Sequence, residues 1–112
     1  MLDRAAIREI VETYKKHDWL LRRVLLSGDS KLALGKEIEA DFGNVAILDS
    51  GFDAAWFSRP PGNGVVTWEI RYLGSVPFAI LESLDENDPT FEGNLKHLEV
   101  RLAEAIAKKE AA

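Results

Sequence analysis

The chain contains no cysteine. That excludes a disulfide framework, a thiolate nucleophile and any zinc site built with sulfur. It fits a reducing cytoplasm, the compartment we expect. Histidine is scarce: His17 and His97 are the only two. A metal centre would need them to converge with a carboxylate, and no recognised ligand spacing is present. No metal or cofactor is therefore expected. There is no basic excess either, with 14 Lys and Arg against 19 Asp and Glu and a net charge of -5. Such a field repels phosphate, so no nucleic-acid or anionic-membrane partner is expected. No apolar run reaches the length of a membrane span. The start, Met1-Leu2-Asp3-Arg4, leads straight into an amphipathic pattern, so no secretory signal is expected.

What is present is a chain of 112 residues, 46% apolar and 29% charged. That is one domain over residues 1–112, long enough to bury its own core. Apolar residues at helical period, with Asp3 as cap and a Leu2–Ile7 staple, predict a helix over 3–16. Residues 19–26 read Trp-Leu-Leu-Arg-Arg-Val-Leu-Leu, and a strand fits this short run better than a buried helix capped by Asp18. The turn residues 27–30 close it. On a strand, Leu20, Arg22, Val24 and Leu26 share one face, and Leu21, Arg23 and Leu25 the other. Arg22 and Arg23 either blunt an edge or pair with carboxylates across the sheet. A second helix is predicted over 30–41, capped by Asp29 or Ser30, with Leu34, Ile38 and Phe42 as its buried stripe. Gly35 lies inside it and Gly43 just beyond it.

Four turn-separated segments follow. Residues 45–48 and 54–59 read as strands, and Pro60-Pro61-Gly62-Asn63-Gly64 is the strongest loop signal. Residues 65–73 alternate, with Val66, Trp68, Ile70 and Tyr72 on one side and Thr67, Glu69 and Arg71 on the other. Gly74-Ser75 suits a hairpin turn. Residues 76–84 are apolar on both faces, which predicts a central strand covered on both sides. Asp88-Pro89 opens a last helix as cap and first helical residue, with Phe91, Leu95, Leu98, Leu102, Ala105 and Ile106 as its stripe. The expected fold class is α+β: a mostly antiparallel sheet of four to five strands packed with three helices, in the order α-β-α-β-β-β-β-α.

No motif imposes a chemistry. The glycines form no phosphate cradle, because no helix start follows 62–64. The acidic run 85–88 lacks the alternation of a calcium loop and reads as a solvated turn. The residues that stand out are aromatic and charged. Trp56 and Arg59 flank the Pro-Gly loop and can form a stacking, hydrogen-bonding edge; equally, the indole can pack inward while Arg59 covers apolar surface. Glu69 and Arg71 share a polar strand face that Asp53 can join. That set resembles a metal-dependent nuclease arrangement, though it has an arginine where a lysine is usual. An arginine is no general base near neutral pH, and opposite charges two apart also make an ordinary solvated face.

The stretches Asp53-Ala54-Ala55-Trp56-Phe57-Ser58-Arg59-Pro60 and Trp68-Glu69-Ile70-Arg71-Tyr72-Leu73 resemble those of short, uncharacterised bacterial proteins of unknown function. The resemblance spans most of the chain and implies a single domain of a bacterial cytoplasm, without an activity. Size and composition are also similar to small acidic secretion chaperones. Those begin a run of three strands after the first helix, whereas here a second helix follows one strand. The expectation from all of this is a non-enzymatic binding or protein-interaction domain that forms a homodimer, with Trp56, Arg59, Arg71, Asp53 and Glu69 as candidate contacts. The alternatives are a small metal-dependent hydrolase or nuclease using Asp53 and Glu69, and a small-molecule sensor with a pocket between the sheet and the Trp56 loop.

Overall fold

Asp3 starts the first helix, α1, Arg4–Lys16. Its carboxylate accepts from the Ala6 N–H at 2.8 Å, satisfying an amide that the first turn leaves without a partner. The computed structural model describes residues 3–43, 45–59, 66–74 and 76–111. The staple from Leu2 lies outside them. After α1 the chain reverses through Asp18, which takes a left-handed conformation at φ 68°. It then enters β1, Leu20–Leu26, a strand as expected.

The simple alternation of β1 does not hold. Its register against β3 shifts between Leu21 and Arg23. A bulge inserts one residue and turns two successive side chains to one side. Arg22 therefore bonds Ser58 and Glu86 and lies over the Trp68 ring, and Arg23 bonds Glu92. Both arginines serve the same face, and both pair with carboxylates.

The single second helix is in fact two: α2, Gly28–Leu34, and α3, Glu37–Phe42. Gly35 divides them at φ 74°. A glycine pays no steric penalty there, so it stops the helix instead of weakening it from within. Ser27, rather than Asp29 or Ser30, caps α2 by accepting from the Ser30 N–H at 3.2 Å. Leu34, Ile38 and Phe42 are all buried despite the break.

The remaining elements are β2, Ala46–Asp49; β3, Ala54–Arg59; β4, Val66–Tyr72; β5, Ala79–Leu84; and α4, Phe91–Ala111. The loop expected at residues 60–64 lies outside the described residues, as does Ser75 of the expected hairpin turn. The strand order is β2-β1-β3-β4-β5. Only β1 and β2 are parallel; the other neighbours are antiparallel. The chain is thus an α+β fold, with a mixed five-stranded sheet and four helices among the described residues. β5 is an edge strand, not a central one. Its apolar run arises because Ile80 and Leu84 meet α4 while Leu81 on the other side meets no helix among the described residues. The last helix starts two residues past Pro89, and Asp88 accepts from the Thr90 N–H at 2.8 Å ahead of it.

Helices cover both faces of the sheet, in a staggered way. On one face α4 lays Leu95, Leu98, Leu102 and Ile106 over Leu25, Ala54, Trp56, Trp68, Ile70 and Leu84. On the other, α1, α2 and α3 bury Ile7, Leu34, Ile38 and Phe42 against Val24 and Leu26, and α1 continues onto Ala55 and Phe57. Arg4 and Arg8 both reach Asp41, fastening α1 to α3.

Candidate functional site

Strand alternation divides the five residues that the sequence singles out. Trp56 is 0% exposed. Its ring meets Trp68 edge to face at 6.0 Å, and its Nε1–H donates to Glu99 at 3.0 Å. It belongs to the core under α4 and offers no open face to a ligand. Trp56 and Arg59 therefore form no joint binding edge, because an odd step along β3 sends Arg59 to the opposite side.

There Arg59 donates to the His17 carbonyl at 2.9 Å and lies 5.3 Å from the Trp19 ring centre. That is a cation–π arrangement. Arg59 and Trp19, with Lys15, Asp18 and Leu20, line a shallow depression of about 440 Å³. Glu69 and Arg71 are on this same face, one strand further across. The Tyr14 hydroxyl reaches over from α1 and donates to the Glu69 carboxylate. Its ring stacks on Phe57 at 3.9 Å and 16°. Burial, then the hydrogen bond to Glu69, push the Tyr14 hydroxyl above its ordinary pKa, while Arg71 pulls the other way. Arg71 also donates to the Tyr72 carbonyl at 3.1 Å.

Asp53 performs a different task. Its carboxylate accepts from the Ser27 N–H at 2.8 Å and the Ser30 hydroxyl at 2.6 Å. It thereby fastens the start of β3 to the start of α2. Phe57 pairs with Glu69 across the ladder. Asp53 precedes Phe57 by four residues, so roughly 13 Å of extended chain separates Asp53 from the position opposite Glu69. Asp53 and Glu69 are not brought to a shared point, and each is already engaged. Among the described residues no group of three His, Cys, Asp or Glu could hold a metal ion. His17 and His97 are both exposed.

The structure therefore sets Arg59, Glu69 and Arg71 on one sheet face, while Trp56 faces α4 and Asp53 is tied to the start of α2. It adds Tyr14 and Trp19, which pattern alone does not attach to this site. Tyr14 reads as one more member of the buried stripe, and its partner Glu69 is 55 residues away. Only strand register could reveal that contact.

Beyond Glu69 the face continues onto β5 with no helix over it among the described residues. Glu69 pairs with Leu81, Thr67 with Ser83 and Arg71 with Ala79. Leu81 is 56% exposed. The outer side of β5 carries no strand among the described residues. The Tyr72 N–H donates to the Phe78 carbonyl at 2.9 Å, so Phe78 directs its polar groups toward β4. By alternation Ala79, Leu81 and Ser83 direct theirs outward, with no strand partner among the described residues.

On the α4 side the uncovered part is different. A groove of about 410 Å³ runs between α4 and the β1–β2 edge, with Leu25, Leu48 and Leu95 inside and Arg23, Glu92 and Glu99 along it. Arg23 and Glu92 close part of its rim with a two-pronged ion pair. No helix among the described residues is long and apolar enough to cross a membrane. Comparison with known protein families, curated proteins and solved structures finds no match to this chain.

Proposed function

We propose that this is a non-enzymatic, cytoplasmic protein-interaction domain whose contact surface is the open β4–β5 part of the sheet. One observation carries the reading: among the described residues the sheet face beyond Glu69 has no helix over it and ends at a free edge with Leu81 exposed. An apolar side chain among small and polar ones, next to unpaired backbone groups, suits addition of a strand or docking of a protein surface. Glu69, Arg71 and Arg59 supply charge at its rim, where it governs selectivity more than affinity. Two-hybrid selection with three baits tests this. Partners of the wild type should be lost with Leu81→Lys and retained with Leu48→Lys at the opposite edge. Partners retained by both variants would remove the face from consideration.

A second reading has its own observation, the groove between Leu48 and α4. Its size and apolar floor with charged walls suit a small-molecule sensor. A metabolite that raises the melting temperature of the wild type, and not of Leu48→Arg, would support it. The hydrolase alternative has no comparable observation, because Asp53 and Glu69 stand apart.

A further inference from the structure

We infer that the outer edge of β5 is a homodimer seam, in which two copies pair antiparallel about a two-fold axis at Leu81. The inference rests on the reading of this surface as an interaction site and names its occupant as a second copy of the chain.

The backbone limits the possible registers. Ala79, Leu81 and Ser83 direct their N–H and C=O groups outward, and only outward-facing residues can exchange hydrogen bonds across a new antiparallel seam. A perpendicular two-fold axis keeps each face of the sheet continuous, so partners in the ladder come from the same face. Centring the axis on Leu81 pairs Ala79 with Ser83 of the second copy, Leu81 with Leu81, and Ser83 with Ala79. All three outward residues are then satisfied. Shifting the centre to Ile80 sets Ser83 opposite Pro77, which has no N–H to give. Shifting it to Glu82 places two glutamates face to face.

The charges agree with the Leu81 register. Glu82 points to the α4 side, since it pairs with Trp68. It is exposed and has no ion-pair partner among the described residues. In this register it lies diagonal to Phe78 of the second copy. The Lys109 ammonium sits 5.1 Å from the Phe78 ring centre and likewise has no carboxylate partner among the described residues. Each copy thus offers an unpaired carboxylate where the other offers an unpaired ammonium. The two exposed Leu81 side chains meet at the axis on the opposite face, where neither meets a helix of its own chain.

Sedimentation velocity across a concentration series reads the assembly directly. The wild-type full chain should be a dimer. Glu82→Lys and Lys109→Glu should each weaken association about tenfold or more, because they set like charges across the seam. The double variant should recover most of the loss. Leu81→Cys gives a chain with a single thiol, which should cross-link to a covalent dimer under mild oxidation, since directly opposed strand residues lie within disulfide reach. A wild type that stays monomeric overturns the seam. So does a dimer indifferent to both charge swaps and resistant to the Leu81→Cys cross-link. A monomer that still loses a selected partner through Leu81→Lys would overturn the seam while leaving the interaction reading in place.

Discussion

The two faces of the sheet solve the same covering problem with different means. On one face a single long helix, α4, lies across the β3–β5 side, and two tryptophans fill the space beneath it. On the other, three shorter helices cover the β2–β3 side, and Tyr14 stacking on Phe57 marks the limit of that cover. Because the two covers are offset, each face keeps a bare region at opposite ends of the sheet. The bare region beside α4 is recessed and charged. The one beyond Tyr14 is flat and ends at an unpaired strand. The contrast teaches that the exposed leucines Leu48 and Leu81 arise from one cause and present very different surfaces.

Mutations can break this comparison at several depths. The largest effect is expected for Trp56→Ala, which removes a fully buried ring under α4. It should cost about 3–5 kcal/mol in urea unfolding, whereas Leu81→Ala, measured at concentrations low enough to keep the chain monomeric, should stay within about 0.5 kcal/mol. Comparable losses at both positions would mean that Leu81 is covered. Next comes Asp53→Ala, which strands the Ser27 N–H and the Ser30 hydroxyl at the α2 start. A loss of about 1–3 kcal/mol is expected in the same measurement. A smaller difference separates the two tryptophans. Trp56 Nε1 is bonded to Glu99, while Trp68 Nε1 is buried without a partner among the described residues. Trp56→Phe should therefore be the more costly of the pair, by about 1 kcal/mol.

The last prediction is read through pH. The hydrogen bond from Arg4, reinforced by Arg8, holds the Asp41 carboxyl down to about 2, below its ordinary 3.8. A lowered folded pKa means that the contribution is complete above the unfolded value, shrinks as pH falls and is gone below about 2. Asp41→Asn should flatten the acid arm of the stability curve between about pH 4 and 2, measured by urea midpoints at each pH. An unchanged slope there would show that the α1–α3 clamp contributes nothing in solution.

Much of the architecture was legible because local signals agreed with the global fold. Asp3, the alternation through Trp68 and Ile70, and the α4 stripe each served one structure only. The failures have specific causes. Arg22 and Arg23 looked like opposite-facing residues, but a bulge is set by the partner strand and leaves no mark in β1 itself. By pattern Gly35 lies inside one helix, and only its φ shows that it ends one. Trp56 looked like a binding aromatic because it precedes a Pro-Gly loop, yet strand parity sends it inward. Arg59, Glu69 and Arg71 were recognisable as residues, while their union with Tyr14 and Trp19 depends on how α1 lies across β3. The edge position of β5 was hidden for a related reason: a run apolar on both sides reads as central whether or not a second layer exists.

One topological detail bears on how the molecule assembles. β3, β4, β5 and α4 follow one another in the chain and pack as immediate neighbours, so joining them closes only short loops. β1 must wait for the whole α2–α3–β2 excursion before it can settle between β2 and β3. The C-terminal meander should accordingly acquire amide protection first in pulse-labelled refolding, and β2, held on one side only, last. A nascent chain leaving the ribosome N-terminus first would have its α1–β2 portion exposed well before its template exists.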